Sequence, residues 1–218
     1  RARPAPAKGR GWGEGEAQLE GLGLLRGNVS SVGAVRVASF RGVPYALPPT
    51  GHRRFAPPVP YSEPFPAGGR SALEWGPQCP QTPWLSYYRP FPESEDCLFL
   101  NVHAPVGVDT PMPVLVFLHG GSWQWGTGAA FDGSRLAAAE QMIVVTLNYR
   151  LGIFGMLPTP PEGAGMAEAN WGLLDQQAAL RWVHRHCGAF GGDPSRVMLM
   201  GESAGAAAVL LHLALLAS

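Results

Sequence analysis

Residues Gly201-Glu202-Ser203-Ala204-Gly205 form a G-x-S-x-G motif between two stretches of contrasting character. Residues 196–200 are mostly apolar and have strand character, whereas residues 204–217 are almost all Ala and Leu and favour a helix. A serine at such a strand-to-helix turn is typical of a nucleophile elbow, in which a strained turn exposes the hydroxyl. Both glycines are needed there because strand and helix pass too close for a β-carbon. The alternative is a glycine-rich turn in front of a buried helix.

Further strand and helix patterns alternate upstream of the motif. Apolar runs predict strands at residues 97–102, 114–118 and 142–149. Helical spacing is found at residues 134–141 and 170–187. This alternation predicts an α/β fold with a mostly parallel central sheet and flanking helices. In such sheets the chemistry lies at the carboxyl ends of the strands, where the turns at Gly120 and Gly201 are both expected.

The composition suits one domain or a piece of a larger one. Of the 218 residues, 46% are hydrophobic and 15% are charged, and the formal net charge is zero. This balance indicates neither a nucleic acid nor an anionic membrane as a partner. No apolar run reaches the roughly 18 residues of a spanning helix. Residues 1–21 are predicted to be disordered and residues 22–218 to form the domain, with a small hairpin between residues 24 and 40. Because the chain starts with Arg1, a processed or partial sequence is expected.

Cysteines and glycosylation signals are few. Three cysteines are present, so one thiol is left over if the other two pair. Asn28-Val29-Ser30 is a sequon that would matter in a secreted protein. No cluster of His, Cys and carboxylate residues has metal-ligand spacing, so neither a metal nor an organic cofactor is implied.

Several long motifs follow one another along residues 22 to 216. They are Phe40-Arg41-Gly42-Val43-Pro44-Tyr45-Ala46, Glu95-Asp96-Cys97-Leu98-Phe99-Leu100-Asn101-Val102, Asn148-Tyr149-Arg150-Leu151-Gly152, Asn170-Trp171-Gly172-Leu173-Leu174-Asp175-Gln176-Gln177, and residues 190–205 around the serine. In register and in order, these motifs resemble type B carboxylesterases, the α/β-hydrolase family that includes the cholinesterases. The family hydrolyses carboxylic esters, so the resemblance implies a small-molecule ester substrate.

The resemblance assigns roles around Ser203. Ser203 would attack the ester carbonyl and form an acyl-enzyme, which water then cleaves. The oxyanion would be bound by the backbone N–H of Ala204 and by the loop Gly120-Gly121-Ser122, where the donors are expected at Gly121 and Ser122. The family usually has glycine where this chain has Ser122. Glu202 resembles a buried acidic neighbour of the nucleophile, and a solvated glutamate is the alternative.

The resemblance also implies structural links away from the serine. Cys79 and Cys97 match the first disulfide of the family, which leaves Cys187 free. A disulfide would place the protein in the secretory pathway or outside the cell. Two ion pairs, Arg54 with Glu95 and Arg150 with Asp175, match charged pairs of the family. Trp84, Tyr87 and Tyr88 lie in the loop between the paired cysteines, where packing is the expected role.

The triad partners of Ser203 are not found in the sequence. In this fold the acid and then the histidine follow the serine, but only His212 follows Ser203, on the helix that leads away from it. The resemblance therefore implies the N-terminal portion of a longer protein, truncated after the elbow helix and inactive by itself. The alternative is a non-enzymatic relative, similar to the adhesion proteins of the superfamily, with a protein partner. The intact motif favours the esterase, because those relatives typically lose this serine.

Overall fold

The structure is a computed structural model that describes residues 15–82, 91–159 and 169–216. Its main feature is a six-stranded sheet with the strand order β3-β4-β6-β8-β7-β9. The strands of both sheets are β1 Glu16–Leu19, β2 Gly23–Arg26, β3 Asn28–Val32, β4 Val35–Pro44, β5 Arg70–Ser71, β6 Phe99–Pro105, β7 Met112–Leu118, β8 Ile143–Leu147 and β9 Gly192–Gly201. The helices are α1 Ser134–Glu140, α2 Gly152–Met156, α3 Trp171–His186 and α4 Ala204–Leu216. The predicted α/β class, a central sheet with flanking helices, is confirmed, but the sheet is mixed and not mostly parallel as expected.

The main sheet is mixed in strand direction. The neighbours β8, β7 and β9 run parallel, whereas β3, β4, β6 and β8 pair antiparallel in succession. Every residue of β8 is buried, as the continuous apolar run at residues 142–149 predicts for a strand covered on both faces. The sheet is therefore parallel where it carries the G-x-S-x-G motif and antiparallel towards its N-terminal strands.

Helices cover both faces of this sheet. Alternate residues of one strand face opposite sides, so Leu115 joins a cluster with Ala137 of α1. Its neighbours Val114 and Val116 belong to the other cluster, which contains Val183 of α3 and Ala208 of α4. The helices that precede and follow the serine motif thus pack on one face, and α1 packs on the other. No helix within the described ranges is long and apolar enough to cross a membrane.

The N-terminal part differs from the prediction. Residues 1–21 are expected to be disordered, but β1 occupies Glu16–Leu19 and pairs with β2. Ala17 and Leu19 are buried in the main core cluster. The folded part therefore begins before residue 22. The small sheet β1-β2-β5 is completed by Arg70 and Ser71, which lie far along the sequence from the other two strands.

The last strand of the order, β9, lies at an edge among the described strands. Met198 and Met200 on this strand are 55% and 48% exposed. On α4, Leu210, Leu211 and Leu213 are also exposed. Apolar side chains are therefore open to water along this edge strand and the helix that follows it.

Candidate active site

Ser203 occupies a strained turn between β9 and α4. Its φ is +54°, in the left-handed region that non-glycine residues seldom adopt. The N–H of Gly205 donates to the carbonyl of Glu202 at 2.8 Å, and that of Ala207 donates to the carbonyl of Ser203 at 3.1 Å, so the turn leads directly into the helix. Ser203 itself is exposed. The strand, turn and helix expected around the motif are thus all present.

The two glycines of the motif lie where helix and sheet touch. A β-carbon at Gly201 would collide with the backbone of Gly205. One at Gly205 would collide with the backbone at Leu118, the last residue of β7. These contacts are the physical reason for the small residues at both positions, because neither backbone can move aside.

The glycine loop after β7 lies beside the serine. The strands β7 and β9 are parallel neighbours, and Leu118 pairs with Gly201, so both turns leave the sheet at the same edge. A β-carbon on Gly120 would lie 3.0 Å from the Ser203 Cβ. The structure therefore places Gly120, the first residue of the loop Gly120-Gly121-Ser122, beside Ser203, and the oxyanion role of Gly121 and Ser122 stays a prediction. Ala204 completes the group as the first residue of α4, whose N–H has no acceptor within the helix.

The conformation of the loop is set by Gly121. It has a φ of +109°, and a β-carbon there would collide with the carbonyl of Trp125. The next two residues, Ser122 and Trp123, are also left-handed, with φ of +53° and +62°. The Gly121 carbonyl accepts the N–H groups of Gln124 at 2.9 Å and Trp125 at 3.0 Å. These bonds hold Ser122 in a backbone conformation that glycine would adopt with less strain.

His119 supports this loop from inside the protein. Its ring is 1% exposed and stacks on Tyr149, with ring centroids 4.4 Å apart. Nδ1 lies 2.8 Å from the carbonyl of Gly120, so Nδ1 carries the proton and donates. Burial lowers the pKa of His119 to about 4, which keeps the ring neutral at pH 7. His119 therefore shapes the loop and is not placed to take a proton from Ser203.

The remaining histidines serve other contacts. The Nε2 of His212 lies 2.8 Å from the Gln176 side-chain oxygen, which links α4 to α3. His103 lies 2.9 Å from the Ser39 hydroxyl and 3.8 Å from Asp132, but both contacts are to the same nitrogen, Nδ1. Such a cluster cannot relay a proton as a catalytic triad does, because a triad uses both ring nitrogens. All six histidines lie in the described ranges, and none hydrogen-bonds Ser203.

Glu202 is exposed, which corrects the expectation of a buried acidic neighbour. The carboxylate nevertheless reaches the Gly120 α-carbon. It also lines a cavity of about 30 Å³ together with His119 and Trp125. The side chain stays open to water because it leaves the turn at the exposed edge of the sheet.

The expected links around the site are present. Cys79 and Cys97 form a disulfide, and Cys187 is free and buried. Arg54 donates to Glu95 at 2.6 and 2.9 Å, in a half-exposed pair. Trp84, Tyr87 and Tyr88 lie outside the described residues. Asn28 begins the outer strand β3 and is exposed.

The second ion pair is deeply buried. Arg150 and Asp175 are 2% and 0% exposed. The Arg150 side chain donates two hydrogen bonds to the Asp175 carboxylate, each 2.8 Å long. The backbone N–H of Arg150 also donates to Asp175 at 3.0 Å. A further Arg150 nitrogen donates to the carbonyl of Arg54 at 3.0 Å, which connects the two ion pairs. Helix α3, the end of β8 and the loop near residue 54 are thus tied together.

Sequence reasoning missed the roles of Asn148 and Tyr149 in positioning the glycine loop. The Asn148 side-chain oxygen accepts from the Thr127 hydroxyl at 3.0 Å and from the Gly128 N–H at 2.8 Å. The Tyr149 hydroxyl donates to the carbonyl of His119 at 2.6 Å. The available signal was the presence of two hydrogen-bonding side chains directly after a fully buried, mostly apolar strand. Within the described residues, no group of three or more His, Cys, Asp or Glu could hold a metal ion.

Known proteins share sequence with most of this chain. A model of the carboxylesterase family matches residues 15–218. Carboxylesterase 4A of Bos taurus is 45% identical over 196 residues, which cover 84% of this chain and 35% of that protein. Para-nitrobenzyl esterase of Bacillus subtilis (strain 168) is 45% identical over 190 residues, 82% of this chain and 37% of that protein. Neuroligin-2 of Mus musculus is 42% identical over 217 residues, 80% of this chain and 25% of that protein.

These matches cover most of this chain but only a part of each relative. The chain spans about a third of the length of the two esterases and a quarter of neuroligin-2. Since the family model covers nearly the whole chain, and the sheet, the elbow and the glycine loop are in place, the chain belongs to the carboxylesterase family.

Proposed function

We propose that this chain carries the nucleophile and the oxyanion loop of a serine carboxylic-ester hydrolase. The observation that carries the proposal is the approach of the loop at Gly120 to Ser203 across the parallel pair β7 and β9. The Ser203 oxygen adds to the ester carbonyl carbon, and the alcohol leaves with a proton to give an acyl-enzyme. Water then adds to the acyl carbon, releases the carboxylic acid and restores the serine hydroxyl.

Backbone donors bind the negative oxygen that forms at each addition. The donors are the N–H groups of Gly121, Ser122 and Ala204, of which the last is at the positive end of α4. One such donor is typically worth about 3–4 kcal/mol of transition-state stabilisation. The side chain at position 122 is not needed for this role, because only its N–H faces the oxyanion. This explains how serine can replace the usual glycine once the loop imposes the left-handed backbone.

The general base and its acid partner come, in this proposal, from a region that this chain does not span. The chain covers 35% of carboxylesterase 4A, so the greater part of that relative has no counterpart here. The histidines of this chain are engaged elsewhere or lie away from Ser203. Among the residues that the structure describes, the hydroxyl thus has no hydrogen-bonded partner to accept its proton, and hydrolysis by this chain alone should be negligible.

The surroundings of the site support a secretory location. The disulfide between Cys79 and Cys97 would be stable in an oxidising compartment. Asn28 is exposed on β3 and accessible for glycosylation. A substrate of low molecular mass is supported by the names of the esterase relatives.

A second candidate is a non-catalytic protein-binding role. The match to neuroligin-2, whose name does not describe an esterase, supports it, as does the shared possession of the fold. The serine in its strained turn beside the glycine loop favours the hydrolase, because a binding protein has no need for this geometry.

Hydrolysis of 4-nitrophenyl butanoate by the full-length protein that contains this chain tests the proposal. Ser203→Ala should lower kcat by at least about a thousandfold, since loss of a nucleophile removes the acyl-enzyme route. Ser31→Ala, at an exposed serine of β3, is the matched control and should leave kcat unchanged. Equal rates for wild type and Ser203→Ala would refute the esterase and favour the binding role.

A further inference from the structure

Ser122 carries a hydroxyl that the fold does not use. The residue is exposed, and its hydroxyl has no hydrogen-bond partner among the residues that the structure describes. The nearby Thr127 hydroxyl is buried, donates to the Asn148 side-chain oxygen at 3.0 Å and accepts the N–H of Ala129 at 3.2 Å. One hydroxyl of this segment is therefore part of the fold, whereas the other is available to a bound molecule.

The backbone at Ser122 would form more easily without a side chain. Its φ of +53° lies in the left-handed region, which glycine adopts at a lower cost in free energy. Hydrogen bonds on both sides fix this conformation. The Gly121 carbonyl accepts the N–H of Gln124 at 2.9 Å, and the Trp123 carbonyl accepts that of Gly152 at 2.6 Å. A strained residue with an uncommitted polar group, beside a candidate nucleophile, indicates a role towards a ligand and not in folding.

The reach of this hydroxyl follows from the N–H of the same residue. In the proposed oxyanion hole, the Ser122 N–H binds the carbonyl oxygen of the ester. Only the α- and β-carbons separate the hydroxyl oxygen from that nitrogen, so the two atoms lie within about 4 Å of each other. Ser122 also borders an open cavity, which leaves room for a substrate beside the hydroxyl. The hydroxyl can therefore reach atoms close to the ester carbonyl.

An ester with an oxygen on carbon 2 of its acid offers two acceptors at a matching spacing. Two carbons separate the carbonyl oxygen from this 2-oxygen, just as two carbons separate the nitrogen and the hydroxyl oxygen of Ser122. When both oxygens lie on the same side of the bond between carbons 1 and 2, the N–H can donate to the first and the O–H to the second. A simple fatty-acid ester has a CH₂ group at this position, so the hydroxyl would lose its hydration without gaining a partner.

We propose that Ser122 selects esters of 2-alkoxy and 2-hydroxy acids, by donating its N–H to the scissile carbonyl and its O–H to the 2-oxygen. This selection rests on the esterase function proposed above, which makes the Ser122 N–H an oxyanion donor. The 2-oxygen takes no part in the reaction and keeps its charge throughout. The hydroxyl should therefore stabilise the bound ester and the transition state equally, which lowers KM and leaves kcat nearly unchanged.

Two esters of nearly equal size isolate the contribution of the 2-oxygen. 4-Nitrophenyl methoxyacetate and 4-nitrophenyl butanoate differ only in an ether oxygen that replaces a CH₂ group. The ratio of their kcat/KM values is measured in the full-length protein and its variants, so the difference in chemical reactivity between the esters cancels. Ser122→Ala should lower the ratio of methoxyacetate to butanoate by about fivefold, mainly through KM, because one neutral hydrogen bond is lost. Ser122→Gly should lower it by the same factor.

Ser31→Ala, at an exposed serine of β3, is the matched control and should leave the ratio unchanged. Ser122→Gly removes the hydroxyl without straining the backbone, so it keeps the test valid if circular dichroism shows that Ser122→Ala is unfolded. A wild-type ratio in folded Ser122→Ala overturns the proposal, even if Ser122→Gly lowers the ratio, because the β-carbon and not the hydroxyl would then be responsible. An equal fall in Ser31→Ala overturns it as well.

The same assays separate this proposal from the esterase function. Hydrolysis that is lost in Ser203→Ala, together with a ratio that does not depend on Ser122, refutes the selection alone. If neither ester is hydrolysed in a way that depends on Ser203, the esterase is refuted and the selection with it.

Discussion

Ser122 and Gly121 are neighbours in one loop, yet the structure gives them opposite tolerance to substitution. Gly121 has no room for a β-carbon beside the Trp125 carbonyl, whereas Ser122 is exposed and already carries one. Only the N–H groups of these residues are needed in the proposed oxyanion hole. A side chain at position 121 would therefore displace the backbone and its N–H donor. The side chain at position 122 leaves the backbone where it is.

We predict that Gly121→Ala in the full-length protein lowers kcat for 4-nitrophenyl butanoate by about a hundredfold or more, because the displaced loop loses a donor. Ser122→Gly should retain kcat within about threefold, since glycine adopts the same φ with less strain. Stopped assays at saturating substrate measure both. Equal losses in the two variants would contradict the assignment of the loop.

Asp175 is the residue whose loss should cost most in stability. It is fully buried and accepts three hydrogen bonds from Arg150. Asp175→Asn would leave the Arg150 charge buried without its partner, which typically costs about 3–5 kcal/mol in the free energy of unfolding. Urea denaturation measures the change. Asp109→Asn, at an exposed carboxylate, should stay within about 0.5 kcal/mol.

The free-energy cost of breaking an ion pair should be larger for the buried pair than for the partly exposed one. Glu95→Gln breaks a pair whose side chains are 28% and 40% exposed, so water replaces much of the lost interaction. Its effect should be clearly smaller than that of Asp175→Asn. A larger effect at Glu95 would show that burial is not what determines the cost.

At the scale of elements, a buried histidine joins two strands to a helix. His103 of β6 contacts Ser39 of β4 and lies near Asp132, which accepts the N–H of Ser134 at the start of α1. Burial lowers the pKa of His103 from 6.5 to about 4. Between these pH values the unfolded chain binds a proton that the folded protein does not, so the free energy of unfolding falls as pH is lowered.

We expect this histidine alone to lower the free energy of unfolding by about 3 kcal/mol as the pH falls from 7 to 4, because the unfolded chain binds the proton that the buried ring does not. His103→Gln does not titrate and should reduce the slope of the free energy of unfolding against pH over this interval. Denaturant titrations at half-unit steps of pH provide the slope. An unchanged slope in His103→Gln would contradict the expectation.

The disulfide closes the loop between Cys79 and Cys97. Cys79 and Cys97 are 18 residues apart, and closing such a loop is worth about 3 kcal/mol in the chain-entropy account. Secreted, unreduced protein denatured in the presence of iodoacetamide should therefore be alkylated at Cys187 only, as read by peptide mass spectrometry. Alkylation of Cys79 and Cys97 without reduction would disprove the bond in the isolated protein.

At the scale of the molecule, the sequence predicted the elements whose patterns are local. The mostly apolar run of β8 and the apolar spacing of α3 are short-range patterns that predict these elements, and the motif that links strand to helix predicts the elbow at Ser203. These are the elements that position the nucleophile. The ion pairs and the disulfide were found because whole motifs resembled the family.

What the sequence did not predict depends on long-range partners. Strand direction cannot be read from apolar periodicity, so the antiparallel half of the sheet was missed. The sequence predicts disorder for β1 because the stability of this strand comes from β2 and from residues buried elsewhere in the core, which a local pattern does not show. The exposure of Glu202 depends on how separate loops meet, which a local sequence pattern cannot predict.

Covalent labelling of the serine hydroxyl tests the proposed role of Ser203 as the nucleophile. The full-length protein is treated with diisopropyl fluorophosphate, digested and mapped by peptide mass spectrometry. We predict that Ser203 is the one phosphorylated site and that ester hydrolysis is lost when it is labelled. The Ser203→Ala variant should carry no label. A stoichiometric label on another residue, or inhibition by the reagent without any label on Ser203, would contradict it.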